Sequence, residues 1–515
     1  MYQLLSLSHC LCLITILVFF QACGSDDSGS LQEVSSEVEV LPDPSGYSPL
    51  TAQVNISTDF MVRIRLRVIG QHGEASDVVH EFPQLGTQFE LPVLGLYADY
   101  NNQVELTFID PNGNDLNSKT LEIKTNNLDF ELPAISIDQP ASDDDLSAFY
   151  LVNYFGFREV PFPQRPFIFD KFGDIRWYLF YKNHPTLSNL FYDVGLNRLQ
   201  NGNWIMGDGN TEMLYEVDMY GNIVNSWDLQ GFGFHHTVIE KPNGNFLVTV
   251  SDYSQATVED VIIEIDRNTG ELVNSWDLTQ SLDASRRAWE TNLANLDFDW
   301  FHANGIAYSP SDDAIIVSGR TQGVVKLSKD NEVIWILAPH KDWNQAGNGN
   351  LLAPTLLKPI DAQGNAITDP AVLDGSTNHP DFEWAWYQHA PALLPNGHLM
   401  LFDNGENRNY SNHTPYSRAV EYAIEEEQKT IQQVWDYGKE RGPTNYSQIV
   451  SRADYWEEED KVIFTPGAIN ENNDPQGKVI EIDRQSGMPV FEASIRPPQT
   501  FFIITFHNAQ RIELY

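Results

Sequence analysis

The sequence predicts an all-β protein, with an N-terminal β-sandwich followed by a six-bladed β-propeller closed by the C-terminal strand. Two observations predict this fold class. A hairpin signal, an apolar strand on each side of a Pro-Asn-Gly or similar turn, recurs along most of the chain. The region before these copies contains short alternating strands separated by turn formers, with no helical periodicity between them.

The composition limits the partners. The chain has 515 residues, of which 42% are hydrophobic, enough to bury a large core. Lys and Arg number 31 against 72 Asp and Glu, a formal net charge of −41. Such a charge repels nucleic acids, which we exclude as partners, and also anionic lipid surfaces. It would repel an anionic substrate too, unless a local pocket of His and Arg reverses the sign.

The N-terminus predicts export and a lipid anchor. All three cysteines, Cys10, Cys12 and Cys23, lie near the start, so no disulfide is expected in the folded body. The apolar run 10–20 is too short to span a membrane and is followed by a sequence around Cys23 that resembles a bacterial lipobox. Residues 1–22 are therefore predicted to be a lipoprotein signal peptide, and 23–45 an acidic tether. We expect lipidation of Cys23 and anchoring to the outer membrane, facing the periplasm or the surface; an apolar N-terminus without this role is the alternative.

Residues 46–137 are predicted to form the β-sandwich, because five alternating segments are separated by turn formers such as Asp110-Pro-Asn-Gly113. The predicted strands are Ala52–Ile56, Val62–Val68, Gln88–Leu91, Gln103–Phe108 and Ser118–Lys124. The segment 135–145 reads as a linker.

Residues 146–515 are predicted to form the propeller. Copies of the hairpin begin at Tyr192, Phe234, Trp300, Tyr387 and, more weakly, Tyr446. Most copies add a strand, a turn and a further strand with a large aromatic residue, which gives four strands at a spacing of about 40 to 60 residues, typical of propeller blades. A sixth blade must be split between 167–177 and the C-terminal segment 502–512, which would close the ring and remove free sheet edges.

Histidines occupy matching places in these copies. Superposing the hairpins puts His236 and His389 at one position, His302 at the corresponding place after Trp300-Phe301, and His507 in the closing strand. Because these positions lead the innermost strands, we expect their side chains to converge on the central channel. The alternative is a purely structural role, in which these histidines only cap strands.

Arg320 ends the strand after His302, and Asn304 lies two residues beyond this histidine. His, Arg and Asn together favour an oxyanion site over a metal site. We therefore predict no metal and no cofactor. Zinc bound by three histidines is the alternative, which an adjacent Arg disfavours.

The chain from about residue 45 to 515 resembles the bacterial aryl-sulfate sulfotransferases that do not use phosphoadenosine phosphosulfate. The resemblance rests on the motifs 92–102, Phe234-His-His236, Asp299-Trp-Phe-His-Ala-Asn304, Ser318-Gly-Arg320 and 388–397. It implies the fold derived above. It also implies transfer of a sulfuryl group from an aryl sulfate donor to a phenolic acceptor by a ping-pong route.

The resemblance implies a role for each site residue. His389 matches the histidine that becomes transiently sulfurylated, while His302, Asn304 and Arg320 match residues that hold the sulfuryl oxygens. Of the pair His235-His236, the repeats favour His236 as the further family histidine and leave His235 open. Substrate contacts are expected from His235, His507 and Trp300, with Trp300, Trp386 and Tyr387 stacking on the aryl ring or simply packing the blades.

Two departures from the family pattern bear on the activity. The loop 404–417 has no cysteine where some family members carry a disulfide, and Thr237 and Ala390 follow the histidines where other residue types are expected. The alternatives to transfer are an aryl sulfate hydrolase and a propeller that binds an anionic ligand or a surface partner. The sequence leaves open whether the chain forms a homodimer.

Overall fold

The chain is mostly β, as the sequence predicts. The computed structural model describes residues 33–128, 133–142, 148–154, 165–181, 183–190, 193–287, 293–411, 415–497 and 506–515. The predicted signal peptide and Cys23 lie outside these residues. Two short α-helices occur in the described part, α1 (Leu278–Ser281) and α2 (Pro370–Leu373). The described 3-10 helices are Glu74–Ser76, Leu187–Asn189, Ala353–Thr355, Arg408–Tyr410, Lys439–Asn445 and Glu457–Glu459. No described helix has the length and apolarity needed to cross a membrane.

The N-terminal domain is one antiparallel sheet built around a 17-residue strand. Its strands are β1 (Ser36–Pro42), β2 (Ala52–Val68), β3 (Val78–Val93), β4 (Asn101–Ile109) and β5 (Asp115–Lys124). The long strand β2 pairs with β3 along one edge and with β1 and then β4 along the other, and β4 continues to β5. Its residues alternate between buried and partly exposed, so one face forms the core.

The domain boundaries differ from the prediction at two places. The predicted tether, 23–45, contains β1, in which Val38 and Val40 pack on the core while Glu37 and Glu39 point to solvent. Because exposed positions of this strand are acidic, its sequence resembles that of a tether. The predicted linker overlaps β6 (Ala134–Gln139), which pairs with a late strand of the following domain.

The other strands described form six sheets, here called sheets I to VI. Sheet I contains β7 (Phe149–Tyr154), β8 (Phe167–Asp170), β9 (Ile175–Tyr178) and β32 (Phe506–Ile512). Sheet II contains β10 (Asn197–Arg198), β11 (Trp204–Asp208), β12 (Met213–Val217) and β13 (Ile223–Asp228). Sheet III contains β14 (Phe232–Glu240), β15 (Phe246–Asp252), β16 (Val261–Ile265) and β17 (Leu272–Asp277).

The later sheets follow the same order with additions at their edges. Sheet IV contains β18 (Ala303–Ser309), β19 (Ala314–Gly319), β20 (Gly323–Leu327) and β21 (Val333–Leu337). Sheet V contains β22 (Lys358–Pro359), β23 (His389–Leu393), β24 (Leu399–Asp403), β25 (Arg418–Glu425) and β26 (Thr430–Tyr437). Sheet VI contains β27 (Arg452–Trp456), β28 (Lys461–Thr465), β29 (Ile469–Glu471), β30 (Asp474–Asp483), β31 (Met488–Arg496) and β6.

Neighbouring sheets are joined at their outer strands by tryptophans. In sheet I, the indole N–H of Trp177 donates to the carbonyl of Met219 in the outer turn of sheet II (2.8 Å). The same bond recurs from each sheet to the next, up to sheet VI: Trp227 to Arg267, Trp276 to Ser328, Trp335 to the side chain of Glu426, and Trp435 to Arg484. Phe491 of sheet VI stacks on Tyr150 of sheet I, with ring centroids 4.9 Å apart. The sheets therefore contact one another all the way round, consistent with a propeller.

The innermost strands meet at the centre of this ring. β14 contacts β18, β18 contacts β23, β23 contacts β27, and β27 contacts the C-terminal strand β32. β32 pairs with β7 in an antiparallel register, so strands from distant parts of the chain complete sheet I. Residues at the start of these strands are brought together by this arrangement.

Candidate active site

Four predicted histidines come from four different sheets. His236 lies in β14 of sheet III, His302 immediately precedes β18 of sheet IV, His389 begins β23 of sheet V, and His507 lies in β32 of sheet I. The ring nitrogens Nε2 of His236 and Nε2 of His302 are 3.0 Å apart. Nδ1 of His236 is 2.8 Å from Nε2 of His507, and the rings of His236 and His389 have centroids 6.3 Å apart. The structure thus brings the four side chains into one buried cluster.

The backbone is strained where it delivers these side chains. His236 and His302 have φ angles of 59° and 56°, and Ala390, directly after His389, has a φ of 50°. Residues with a Cβ rarely adopt this left-handed conformation, and it persists only where the surrounding structure enforces it. In β14 and β18 the ladder register shifts next to these residues, so each histidine turns out of the regular strand pattern.

Asp193 joins two of the histidines and was missed by the sequence reasoning. Its Oδ2 lies 2.7 Å from Nδ1 of His236 and also accepts the backbone N–H of that residue, while Oδ1 lies 3.4 Å from Nε2 of His507. Burial lowers the pKa of His236 to about 3, although Asp193 opposes this shift. In the repeats, Asp193 stands one position before the histidine column, and this alignment was the signal that could have found it.

His302 is held by two carboxylates. Its Nδ1 contacts Glu259 and lies 3.0 Å from Oδ1 of Asp299. Burial and Arg320 both act against protonation, but Glu259 and Asp299 outweigh them and raise the pKa of His302. His302 is therefore the histidine of the cluster best suited to hold a proton at neutral pH. Asp299 belongs to the motif Asp299-Trp-Phe-His-Ala-Asn304 but had no predicted role, and no local pattern pointed to Glu259.

His389 presents one ring nitrogen as a base. Its Nδ1 is 2.7 Å from Oδ1 of Asn404 and 2.9 Å from the carbonyl oxygen of Tyr387, so this nitrogen carries the proton. Nε2 then keeps its lone pair and accepts the backbone N–H of Val450 at 3.3 Å. Burial lowers the pKa of His389 to about 3, with the Asn404 contact opposing the shift. The ring is accordingly a neutral imidazole above this pH.

Asn304 and Arg320 contact different parts of the histidine cluster. Arg320 lies beside the His302 group, with Nη2 3.5 Å from Oδ2 of Asp299. The side-chain N–H of Asn304 donates to the carbonyl of Gln388, the residue before His389 (2.9 Å), and Ser318 donates to the same oxygen (3.0 Å). The Asn304 amide thus contacts the backbone next to His389, and its role in holding a sulfuryl oxygen stays a prediction.

Of the two roles predicted for Trp300, stacking on the aryl ring or packing between sheets, the structure favours packing. Its side chain is 1% exposed, packs in the core between sheets III and IV, and donates its indole N–H to Asp260 (2.7 Å). Trp386 and Tyr387 are equally buried. Trp300 and Trp386 lie in hydrophobic clusters between neighbouring sheets, which favours the packing alternative for these two residues.

His235 lies at the edge of the cluster. Its Nε2 is 2.9 Å from Oε2 of Glu259, and its ring centroid is 3.9 Å from that of His236 and 5.0 Å from that of His302. Burial lowers the pKa of His235 to about 3. A cavity of about 200 Å³ opens beside it, lined also by Phe234, Tyr253 and Glu259. His236 thus lies within the cluster, and His235 borders the cavity.

Three overlapping sets of ligand atoms would suit a divalent metal by proximity. They are His235, His236 and His302; Asp193, His236 and His507; and Glu259, Asp299 and His302, with the atoms of each set within 4.8 Å of one another. The cation of Arg320 next to Asp299 acts against a metal in the third set. The arrangement of one proton-holding histidine, one neutral histidine and an arginine suits transfer of an anionic group.

Comparison with known proteins agrees with the resemblance in the sequence motifs. Residues 135–500 match the family described as arylsulfotransferase (ASST), and residues 39–126 match the arylsulfotransferase Ig-like domain. The chain is 31% identical to arylsulfate sulfotransferase AssT of Escherichia coli O6:H1, over 90% of this chain and 91% of that protein. It is 30% identical to arylsulfate sulfotransferase AssT of Lelliottia amnigena, with the same shares covered.

Solved structures give only distant similarity. A protein of unknown function from Bacteroides caccae has a TM-score of 0.40 at 13% identity, covering 71% of this chain and 99% of that one. A streptogramin B lyase has a TM-score of 0.31 at 11% identity, covering 71% and 98%. On the family match over most of its length, the chain belongs to the arylsulfotransferase (ASST) family.

Proposed function

We propose that the protein transfers a sulfuryl group from an aryl sulfate ester to a phenolic acceptor through a sulfohistidine at His389. The observation that carries this proposal is the neutral ring of His389, whose Nδ1 is held by Asn404 and the Tyr387 carbonyl while Nε2 keeps its lone pair. Neutral imidazole is a competent nucleophile, and a covalent intermediate divides one transfer into two steps. Neither step requires phosphoadenosine phosphosulfate or another cofactor. The six sheets are, on this proposal, the blades of one propeller whose centre holds the reaction.

In the first half-reaction, Nε2 of His389 attacks sulfur and the bond from sulfur to the aryl oxygen breaks. The electron pair of that bond leaves on the aryl oxygen, which takes a proton from His302 to become a phenol. His302 suits this role because Glu259 and Asp299 favour its protonated form. Its Nε2–H, which donates to His236 in the structure, is the proton given up.

In the second half-reaction, an acceptor phenol replaces the product. Neutral His302 takes the phenol proton, the phenol oxygen attacks sulfur, and the bond from sulfur to Nε2 of His389 breaks with its electron pair returning to the ring. The enzyme is then as it started, with His302 protonated and His389 neutral. This cycle is ping-pong, because the first product leaves before the acceptor enters.

Arg320 supplies the positive charge that the anionic group needs in a chain of net charge −41. Its guanidinium lies next to the His302 group and acts on both His302 and His389. We propose that it stabilises the charge on the sulfuryl oxygens, which is greatest during transfer. The cavity beside His235 is the proposed place for the aryl ring, with Phe234 and Tyr253 as its aromatic walls.

The test is the release of nitrophenol from p-nitrophenyl sulfate, with and without phenol, by the wild type and by His389→Ala. We expect a burst of nitrophenol and a sulfuryl mass increment on His389 without acceptor, then turnover and phenyl sulfate when phenol is added. Release without phenyl sulfate would instead identify a hydrolase. No release, or full activity of His389→Ala, would overturn the proposal and favour a binding module for an anionic ligand or surface partner.

We also propose, from the sequence alone, that the protein is exported and anchored to the outer membrane by a lipid on Cys23, facing the periplasm or the surface. The acidic segment before β1 would act as the spacer. Labelled fatty acid should be incorporated into the wild type and not into Cys23→Ala. Labelling of both variants, or of neither, would contradict the anchor.

A further inference from the structure

Asn404 is a buried side chain that contacts the reacting histidine and has no part in the steps above. It lies directly after β24, in the Asp-Asn-Gly segment, and its relative exposure is 0%. Its Oδ1 is 2.7 Å from Nδ1 of His389. It therefore approaches the ring on the side away from Nε2.

The orientation of the Asn404 amide is determined by its other contacts. Its Nδ2 donates to the carbonyl oxygens of Ser447 (2.8 Å) and Val450 (3.0 Å). Since both are acceptors, the amide nitrogen must face them and the amide oxygen must face His389. An acceptor at this position requires a proton on Nδ1 of His389, and the Tyr387 carbonyl requires the same (2.9 Å).

Asn404 also holds the backbone of Val450 in place. Val450 has a φ of 55° and Ser451 a φ of 87°, and a β-branched residue at such an angle is a genuine outlier. The strained segment is tied by Asn404 at the Val450 carbonyl and by the bond from the Ser451 N–H to the carbonyl of His507 (2.9 Å). In this conformation the Val450 N–H points at Nε2 of His389, at 3.3 Å.

We infer that Asn404 is the positioning residue of the nucleophile: it makes Nε2 of His389 the atom that takes the sulfuryl group and holds the Val450 N–H where it can donate to a sulfuryl oxygen. This inference rests on the proposed sulfohistidine. The Asn404 amide thus acts with the Tyr387 carbonyl to set the tautomer of the ring, and it also holds a backbone donor beside the reacting atom. Strain at Val450 is the kind of feature that accompanies a functional site.

The experiment measures the burst of nitrophenol from p-nitrophenyl sulfate by the full chain without acceptor, in Asn404→Leu, Asn404→Asp and the wild type. Asn404→Leu removes the acceptor at similar volume, and we expect the burst rate to fall about 10- to 100-fold, by analogy with the loss of a hydrogen-bond partner that orients a metal-bound histidine. Asn404→Asp keeps the acceptor for Nδ1 but loses the Nδ2 donor that holds the Val450 carbonyl, so its burst rate should lie between those of Asn404→Leu and the wild type. Its negative charge should also raise the pKa of His389, so that the acid limb of the pH–rate profile moves to higher pH.

A matched control separates positioning from loss of structure. Ser417 donates to the backbone carbonyl of Asn404 (2.8 Å) and accepts the N–H of Ser447, but does not touch the amide of Asn404. Ser417→Ala should lower the melting temperature while leaving the burst rate and its pH profile unchanged. Long-range ¹H–¹⁵N spectra of histidine-labelled protein, assigned with His389→Ala, should show the proton on Nδ1 in the wild type.

The outcomes distinguish the two proposals. If the wild type forms sulfurylated His389 and Asn404→Leu does so equally fast, or if Asn404→Asp leaves the acid limb in place, the inference is overturned and the sulfohistidine stands. A proton on Nε2 of wild-type His389 would also overturn it. If the wild type never carries the group on His389, the proposed function fails, and the inference fails with it.

Discussion

Nε2 of His236 lies 3.0 Å from Nε2 of His302, so these two nitrogens share one proton. Because the pKa of His302 is raised and that of His236 is lowered to about 3, the proton belongs to His302 and His236 accepts it. His236 must then carry its own proton on Nδ1, where Oδ2 of Asp193 lies 2.7 Å away. The contacts thus assign the protonation states of both rings.

The pH dependence of the first half-reaction follows from this assignment. His389 must be neutral to attack, and its pKa of about 3 means that the rate is lost only as the pH falls through about 3. His302 must be protonated to donate, so the rate should fall as the pH rises through its raised pKa. Burst rates measured across the pH range should show an alkaline limb, and a rate that rises with pH through neutrality would contradict the assignment.

Glu259→Gln should move that alkaline limb. The carboxylate contacts Nδ1 of His302 and raises its pKa, so its replacement by an amide should lower this pKa and bring the limb to lower pH. The comparison is made with Glu332→Gln, a change on the outer turn of sheet IV. An alkaline limb at the same pH in wild type and Glu259→Gln would show that Glu259 does not control the proton.

Arg320→Lys should reduce kcat far more than it changes KM. A lysine keeps the charge but loses the guanidinium fork, and loss of one such donor costs about 10²- to 10³-fold in kcat. Steady-state kinetics with p-nitrophenyl sulfate and phenol give both constants. Arg287→Lys, at an exposed arginine, serves as the control and should behave as the wild type. A rise in KM alone would assign Arg320 to binding of the donor and not to the transfer step.

Chelation should leave the activity unchanged. The residues that could hold a divalent metal make hydrogen bonds and ion pairs with one another, and Arg320 places a cation next to Asp299. We expect full turnover after dialysis against EDTA, and no metal in stoichiometric amount by elemental analysis. Loss of activity that zinc restores would favour the zinc alternative.

Trp276→Phe should lower the stability of the protein, by removing a bond between sheets III and IV, without altering catalysis. The indole N–H donates to the carbonyl of Ser328 in the next sheet, and the side chain is 1% exposed. Losing this bond should lower the free energy of unfolding by about 0.5 to 1.5 kcal/mol. Urea denaturation measures this change, and kcat below the transition should equal that of the wild type. An unchanged stability would mean that neither the hydrogen bond nor the extra volume of the indole stabilises the fold.

The sequence reached the histidines because a repeat makes equivalent positions visible. His236, His302 and His389 stand at matching places in the sequence; in the structure His302 immediately precedes β18, His389 begins β23, and His236 lies within β14 where the register shifts. The β-rich class was predictable for the same reason, whereas the family was predictable from specific motifs such as 92–102 and Ser318-Gly-Arg320.

The partners of these histidines were not predictable, because their contacts cross between sheets or between strands of one sheet. Glu259 reaches His302 from sheet III, and Asn404 lies 15 residues after the histidine it contacts. Nothing in the local pattern of either residue signals a site. The same limit explains Trp300, whose neighbours in the fold are core residues although its neighbour in sequence, two positions on, is a site histidine. Sequence shows which residues recur, and the packing of the sheets determines what they touch.

The tryptophan hydrogen bonds join the outer parts of the sheets, whereas the candidate active site lies at their centre. A tryptophan of each sheet from I to V donates to the outer turn of the sheet that follows it, so these bonds tie each sheet to its neighbour. The candidate active-site residues lie at the centre of the sheets and take no part in these bonds. Because these outer bonds do not involve the central residues, we expect the central residues to be exchangeable without disturbing the order of the sheets. A protein built in this way can acquire new substrates by a few changes at its centre while its outer circumference stays the same.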